Sequence, residues 1–219
     1  DRRRCSVVAV DRSDGRVLDS VDLAHCFHGG GAALTADGLW VAGAGRLWLL
    51  DPDRLNVLRA WQVSPPVKAS TIAVRGGRMV VGRFETGRRG TAWTFPIAAV
   101  TRPGVVRLVA GDPARDEVAA GQARRTPAMT QGLALGPGGV WSAASTTYCG
   151  VLTSPDGDRI SFLPGAEGIA FAPDGALWVV SESGAWPYRR AGGRPRIAPL
   201  TRVPVRTLDR EVSPGCSFG

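Results

Sequence analysis

Two carboxylates, Glu167 and Glu182, stand at the start and end of one predicted hairpin, so neighbouring strands would bring both side chains to the same end of it. Such a pair suits general acid/base work or the ligation of a hard cation. His25-Cys26-Phe27-His28 offers two imidazoles and a thiol, a corner that would suit zinc or copper if Cys26 were reduced, and that becomes an ordinary loop if Cys26 is oxidised. His28 precedes Gly29-Gly30-Gly31, whose bare backbone would let a ligand come close. We therefore take Glu167, Glu182 and His28 as candidate catalytic residues, and His25, Arg83, Gln131, Tyr148 and Trp186 as candidate ligand contacts. The metal is unknown, with a divalent cation such as calcium as the candidate cofactor. Ser145-Thr146-Thr147-Tyr148 supplies hydroxyls but no G-x-S-x-G nucleophile elbow, and the glycine-rich stretches lack the Lys-Ser/Thr that a phosphate-binding loop needs.

These residues need strands to position them, and the sequence repeats a strand–turn–strand unit. Gly31-Ala-Ala-Leu-Thr-Ala-Asp-Gly-Leu-Trp-Val-Ala42 matches Gly132-Leu-Ala-Leu-Gly-Pro-Gly-Gly-Val-Trp-Ser-Ala143 and Gly168-Ile-Ala-Phe-Ala-Pro-Asp-Gly-Ala-Leu-Trp-Val-Val180, with a weaker copy at Thr71–Val81. Asp-Gly and Gly-Gly pairs provide the positive φ that tight hairpin turns require. A second hairpin type follows, in Leu47–Val63 and at Val7–Leu23. Asp11 to Asp51 and Ala33 to Ala73 both give a period of 40 residues, so two hairpins make one four-stranded antiparallel unit. The fold expected is all-β, a single domain over residues 1–219 built as a five-bladed propeller, with six blades as the alternative. The 61 residues from Ala73 to Ala134 imply a long insertion at about Gly87–Arg125 or a further degenerate blade. Strands at 6–10 and 17–23 would close the ring by pairing with one near Glu211–Phe218. That composite blade would hold Cys5 and Cys216, which predicts Cys5–Cys216 and Cys26–Cys149 disulfides.

In such a ring the loops leading into each first strand, and those leaving each second strand, share one face. His25, His28, Arg83, Gln131, Tyr148, Glu167, Glu182 and Trp186 all fall in them. Trp40, Trp48, Trp141 and Trp178 fall on strands and read as core.

Composition narrows the partners. The chain has 219 residues, of which 29 are Gly and 16 Pro, too turn-rich for a helical bundle. Its net charge of +8 comes from 27 basic residues, all Arg except Lys68. Their short clusters, Arg2-Arg3-Arg4, Arg88-Arg89, Arg124-Arg125 and Arg189-Arg190, have no interleaved aromatics of the kind that stack bases, so a nucleic-acid partner is not expected. No apolar run reaches the roughly 20 residues of a membrane helix. Four widely spaced cysteines without a C-x-x-C pair point to disulfides and a secreted or extracytoplasmic location. A small-molecule ligand and a monomer are the expectation.

The stretch Ala166-Glu-Gly-Ile-Ala-Phe-Ala-Pro-Asp-Gly-Ala-Leu-Trp-Val-Val-Ser-Glu-Ser-Gly184 resembles blades of the gluconolactonase and phytase-like esterase propellers. That resemblance implies that Glu167 overlooks a central channel. Met129-Thr-Gln-Gly-Leu133, with Ser145 and Tyr148-Cys-Gly150, resembles more weakly a blade of the plant-type glutaminyl cyclases, which are five-bladed. The acidic residues of that family are replaced here by Gly29-Gly30-Gly31 and Ala69-Ser70-Thr71, which speaks against the cyclase activity. The function expected is small-molecule binding on the channel face with lactonase- or esterase-like hydrolysis as the candidate reaction. The alternatives are a non-catalytic propeller that binds a ligand or a protein, and cyclase-like acyl transfer.

Overall fold

The structure is a computed structural model, and it describes residues 4–11, 13–43, 45–192, 200–205, 216 and 218. The chain forms two compact units, Asp1–Val81 with Trp93–Gln122, and Gly82–Ala92 with Ala123–Gly219. The described residues are all-β apart from two short helices, and the strands form several separate sheets.

β1 (Arg4–Val10) and β2 (Val17–Ala24) form an antiparallel hairpin. β3 (Gly29–Thr35), β4 (Gly38–Gly43), β5 (Arg46–Leu50) and β6 (Val57–Val63) form an antiparallel meander. The turn between β5 and β6 is built by Asp51, whose carboxylate accepts from the Asp53 N–H at 2.9 Å and the Arg54 N–H at 3.0 Å. Leu47, Trp48, Leu49 and Leu50 are all buried, so β5 has apolar cover on both faces, and Trp40 stacks on Trp61 with centroids 5.1 Å apart. β7 (Thr71–Arg75) and β8 (Arg78–Arg83) repeat the first hairpin.

The predicted insertion resolves into three pieces. β9 (Gly90–Pro96) and, further on, β12 (Gln122–Thr126) complete the four-stranded sheet β12-β9-β8-β7. Between them lie the one-turn helix α1 (Ile97–Val100), β10 (Arg107–Val109) and β11 (Glu117–Ala119). β10 pairs in parallel with β6, and β11 in parallel with β10, which widens the meander to six strands. Arg59 fixes the connection by donating to the carbonyls of Thr101, Arg102 and Val105, while the Trp61 indole N–H donates to the Val100 carbonyl at 3.1 Å.

The second unit contains a complete four-stranded meander, β13 (Thr130–Gly136), β14 (Gly139–Ser145), β15 (Gly150–Thr153) and β16 (Arg159–Phe162). β17 (Ala166–Phe171), β18 (Leu177–Ser181) and β19 (Leu200–Val203) form a three-stranded sheet, with helix α2 (Trp186–Arg190) in the connection from β18 to β19. Leu152, Leu177, Ala143 and Val179 centre its core. Trp40, Trp48 and Trp141 are buried as expected, and Trp178 is half-buried.

The disulfides correct the expected pairing. They join Cys5 to Cys26 and Cys149 to Cys216. The hairpin explains the first: Cys5 lies opposite Leu23, so the chain leaving β2 passes beside it and the two Cα atoms are 5.2 Å apart. The expectation had assigned Cys5 to chain closure and overlooked the cysteine that its own hairpin delivers. β1 is paired with β2, and most of the strand expected near Glu211–Phe218 lies outside the described residues. No helix among the described residues is long and apolar enough to cross a membrane.

Candidate functional site

Three hairpins share one irregularity. The register slips by one residue between Gly29 and Gly31 in β3, between Thr130 and Gly132 in β13, and between Ala166 and Gly168 in β17. The extra residues are Gly30, Gln131 and Glu167. A bulge residue leaves the ladder, so its side chain is aimed away from the regular alternation. In the second unit the glycine after the bulge sets the spacing of the next strand. A Cβ on Gly132 would sit 2.7 Å from the Glu167 carbonyl oxygen and 3.1 Å from Ile169, so only glycine permits this approach of β13 to β17. Gln131 and Glu167 are thereby brought to the same place.

The remaining members arrive from the ends of neighbouring elements. Glu182 follows β18, and its N–H donates to the Gly165 carbonyl at 2.9 Å. Ala185 is extended and Pro187 occupies the first turn of α2, which fits the fixed φ of proline. At about 100° per residue, positions 186 and 188 face nearly opposite sides of a helix. Tyr188 is half-buried, whereas Trp186 is exposed, with the Arg190 guanidinium 4.5 Å from its ring centre.

The Tyr188 hydroxyl donates to Glu167 Oε1 at 3.3 Å and accepts from Gln131 Nε2 at 3.2 Å. Gln131 Nε2 also lies 3.3 Å from Ser145 Oγ, which donates to the Ala166 carbonyl at 3.1 Å. The Glu182 carboxyl is within hydrogen-bonding reach of both Glu167 and Tyr188. Burial, followed by the hydrogen bond and negative charge of Glu182, pushes the Glu167 carboxyl up to about 9, against a smaller opposing effect of the Tyr188 hydroxyl. Burial also pushes the Tyr188 phenol up, with the two carboxyls adding to it. Near neutral pH, Glu167 and Tyr188 therefore both hold their protons. A protonated carboxyl beside a second carboxyl can give and take a proton within one site.

The other sequence candidates are placed as follows. Arg83, at the end of β8, is half-buried and ion-paired to Glu85. A hydrogen bond from Arg88 and the charge of Arg83 hold the Glu85 carboxyl below its ordinary range, against the cost of burial. Tyr148 is exposed and its hydroxyl donates to the Ala191 carbonyl just past α2. His25 and His28 are exposed and belong to the first unit, whereas Gln131, Glu167, Glu182 and Tyr188 belong to the second. Cys26 is oxidised, which removes the thiolate from the His25–His28 corner. Among the described residues no three His, Cys, Asp or Glu side chains are grouped as a metal site.

Tyr188 is the residue that the sequence reading missed. Its signal was the proline at position 187, which starts a helical turn and makes 188 rather than 186 the position that turns inward.

No protein-family model matches the chain, and no curated protein matches it. Among solved structures, a Bacteroides caccae protein of unknown function aligns over 80% of this chain with a TM-score of 0.46 and 11% identity, and this chain spans 61% of its length. The hydrazine synthase of Kuenenia stuttgartiensis aligns over 82%, with a TM-score of 0.43, 12% identity and 68% of that chain covered. Hsv2 of Kluyveromyces lactis aligns over 80%, with a TM-score of 0.37, 14% identity and 52% of that chain covered.

Proposed function

We propose that this chain is an extracytoplasmic β-propeller that binds a small molecule at the Glu167–Glu182 pair and hydrolyses an ester or lactone bond in it. The single observation that carries the reading is the meeting of two carboxyls, a tyrosine hydroxyl and a glutamine amide at the ends of β13, β17 and β18. The 40-residue repeat and the four-stranded meander β13–β16 support five blades, and the two disulfides support export. The likeness of Ala166–Gly184 to gluconolactonase and esterase blades favours acyl hydrolysis over other acid/base chemistry.

In this reading Glu182 takes a proton from water as the water oxygen adds to the acyl carbon. The C–O bond to the leaving alcohol then breaks, and that oxygen takes the proton held by Glu167. One proton has then passed from Glu167 to Glu182, and the adjacent carboxyls restore the starting state by returning it. Tyr188, itself anchored by Gln131, holds Glu167 in place.

The test is a panel of lactones and p-nitrophenyl esters. Glu167→Gln keeps the shape of the protonated acid but cannot release its proton, so turnover should drop about 10²–10⁴-fold with the melting temperature retained. A variant as active as the parent, or a parent that turns over none of the panel, would contradict the hydrolytic reading.

A further inference from the structure

Two of the arginine pairs noted in the sequence, Arg88-Arg89 and Arg124-Arg125, meet at a feature that the carboxyl site does not use. The second unit contains a cavity of about 400 Å³ lined by Arg89, Arg124, Arg125 and Arg159, with no carboxylate among the described residues of its wall. Arg88 is taken by Glu85 at 3.3 Å, which leaves Arg89 for the cavity. Arg124 donates to the Pro155 carbonyl at 2.5 Å and Arg159 to the Cys216 carbonyl at 3.1 Å. Each of these guanidiniums has five N–H donors, so most of its donors remain for something else. Arg89 and Arg125 make no ion pair or side-chain hydrogen bond among the described residues.

Arg89, Arg124, Arg125 and Arg159 are exposed, and among the described residues no Asp or Glu lines the cavity to offset their like charge. The wall continues with Thr126 and Thr153, whose buried hydroxyls lack hydrogen-bond partners among the described residues; Thr126 is 3% exposed. Val140, Pro127 and Phe218 supply an apolar side. The Cys149–Cys216 disulfide anchors Cys216, which shares a buried cluster with Phe218 and Val151. The volume falls in the range of about 300–1,000 Å³ usual for small-molecule pockets. We propose that this cavity binds a small phosphate monoester, its dianionic phosphoryl group held by Arg89, Arg125 and the free donors of Arg124 and Arg159, and its organic part against Phe218 and Val140. Guanidinium pairs match the geometry of phosphate oxygens and prefer a dianion to a monoanion.

The probe is phenyl phosphate, titrated calorimetrically into the whole chain at fixed ionic strength, with inorganic phosphate and phenyl sulfate as comparisons. Saturable one-to-one binding of phenyl phosphate, tighter than either comparison, is expected. Arg89→Ala/Arg125→Ala should weaken it by at least about tenfold, because hydrogen bonds to charged groups are lost. Arg189→Ala/Arg190→Ala removes the same charge elsewhere in the unit and should leave it within about twofold, a factor small against that loss. Arg89→Lys/Arg125→Lys keeps the charge without the fork and should fall between, which preserves the test if the alanine variant does not fold. Unsaturable binding, equal weakening by the two alanine doubles, or inorganic phosphate or phenyl sulfate binding as tightly as phenyl phosphate would overturn the proposal.

Discussion

Each unit places two successive hairpin-leading strands side by side, β3 with β7 in the first and β13 with β17 in the second. The repeat aligns Gly30, Ser70, Gln131 and Glu167 at one position. In the first unit the tight approach falls on the bulge residue itself, since a Cβ on Gly30 would sit 2.6 Å from the Ser70 carbonyl carbon. No side chain fits there. In the second unit the tight approach has moved one residue on, to Gly132 against Glu167. The bulge is thereby freed, and Gln131 and Glu167 occupy it and its neighbour. A one-residue displacement of a steric contact separates a scaffold from a candidate site.

Gly30→Gln, which writes the second unit's residue into the first, should cost about 3–5 kcal/mol, because the added atoms overlap backbone and not a flexible side chain. Urea unfolding would measure it, and a loss under about 1 kcal/mol would mean that the two strands part easily. Gly132→Ala meets a carbonyl oxygen and Ile169 and should cost less, about 1–3 kcal/mol, while also separating Gln131 from Glu167.

A carboxyl whose folded value lies above its unfolded one binds more protons in the folded state, so it opposes folding as pH rises. For Glu167 the window runs from its ordinary 4.5, below which both states are protonated, to about 9. Stability attributable to this residue should therefore be complete in acid and fall by roughly 1–2 kcal/mol between about pH 5 and pH 8, well under the face value of the shift because the group is only half-buried and is coupled to Glu182. Glu167→Gln should abolish that slope and unfold later at pH 8. A parent and variant with parallel pH profiles would mean that Glu167 is solvated and ordinary.

Much of this was legible in the residues. The hairpins follow from alternating apolar positions and Asp-Gly or Gly-Gly turns, and the meeting of Glu167 with Glu182 follows from their places at either end of one hairpin. The absence of acidic residues at Gly30 and Ser70 was equally readable. Other features were not, for physical reasons. The parallel addition of β10 and β11 to β6 depends on tertiary contacts made by three-residue strands with no periodicity to read. Cys5 pairs within its own hairpin because strand register decides which cysteines meet, and register is weakly marked in strands whose faces are both largely exposed. Tyr188 was hidden by a helix of a single turn, too short to show a pattern.

A carboxyl-carbon NMR titration of protein labelled at glutamate tests whether Glu167 and Glu182 form a proton-holding pair. One glutamate should titrate at about 9, far above its ordinary 4.5. Glu182→Gln should move it down, because the negative neighbour is gone, and Tyr188→Phe should move it further up, because the stabilising hydroxyl is gone. A Glu167 carboxyl that titrates near 4.5 in the parent, or that ignores the loss of Glu182, would mean that the two carboxyls do not share a proton.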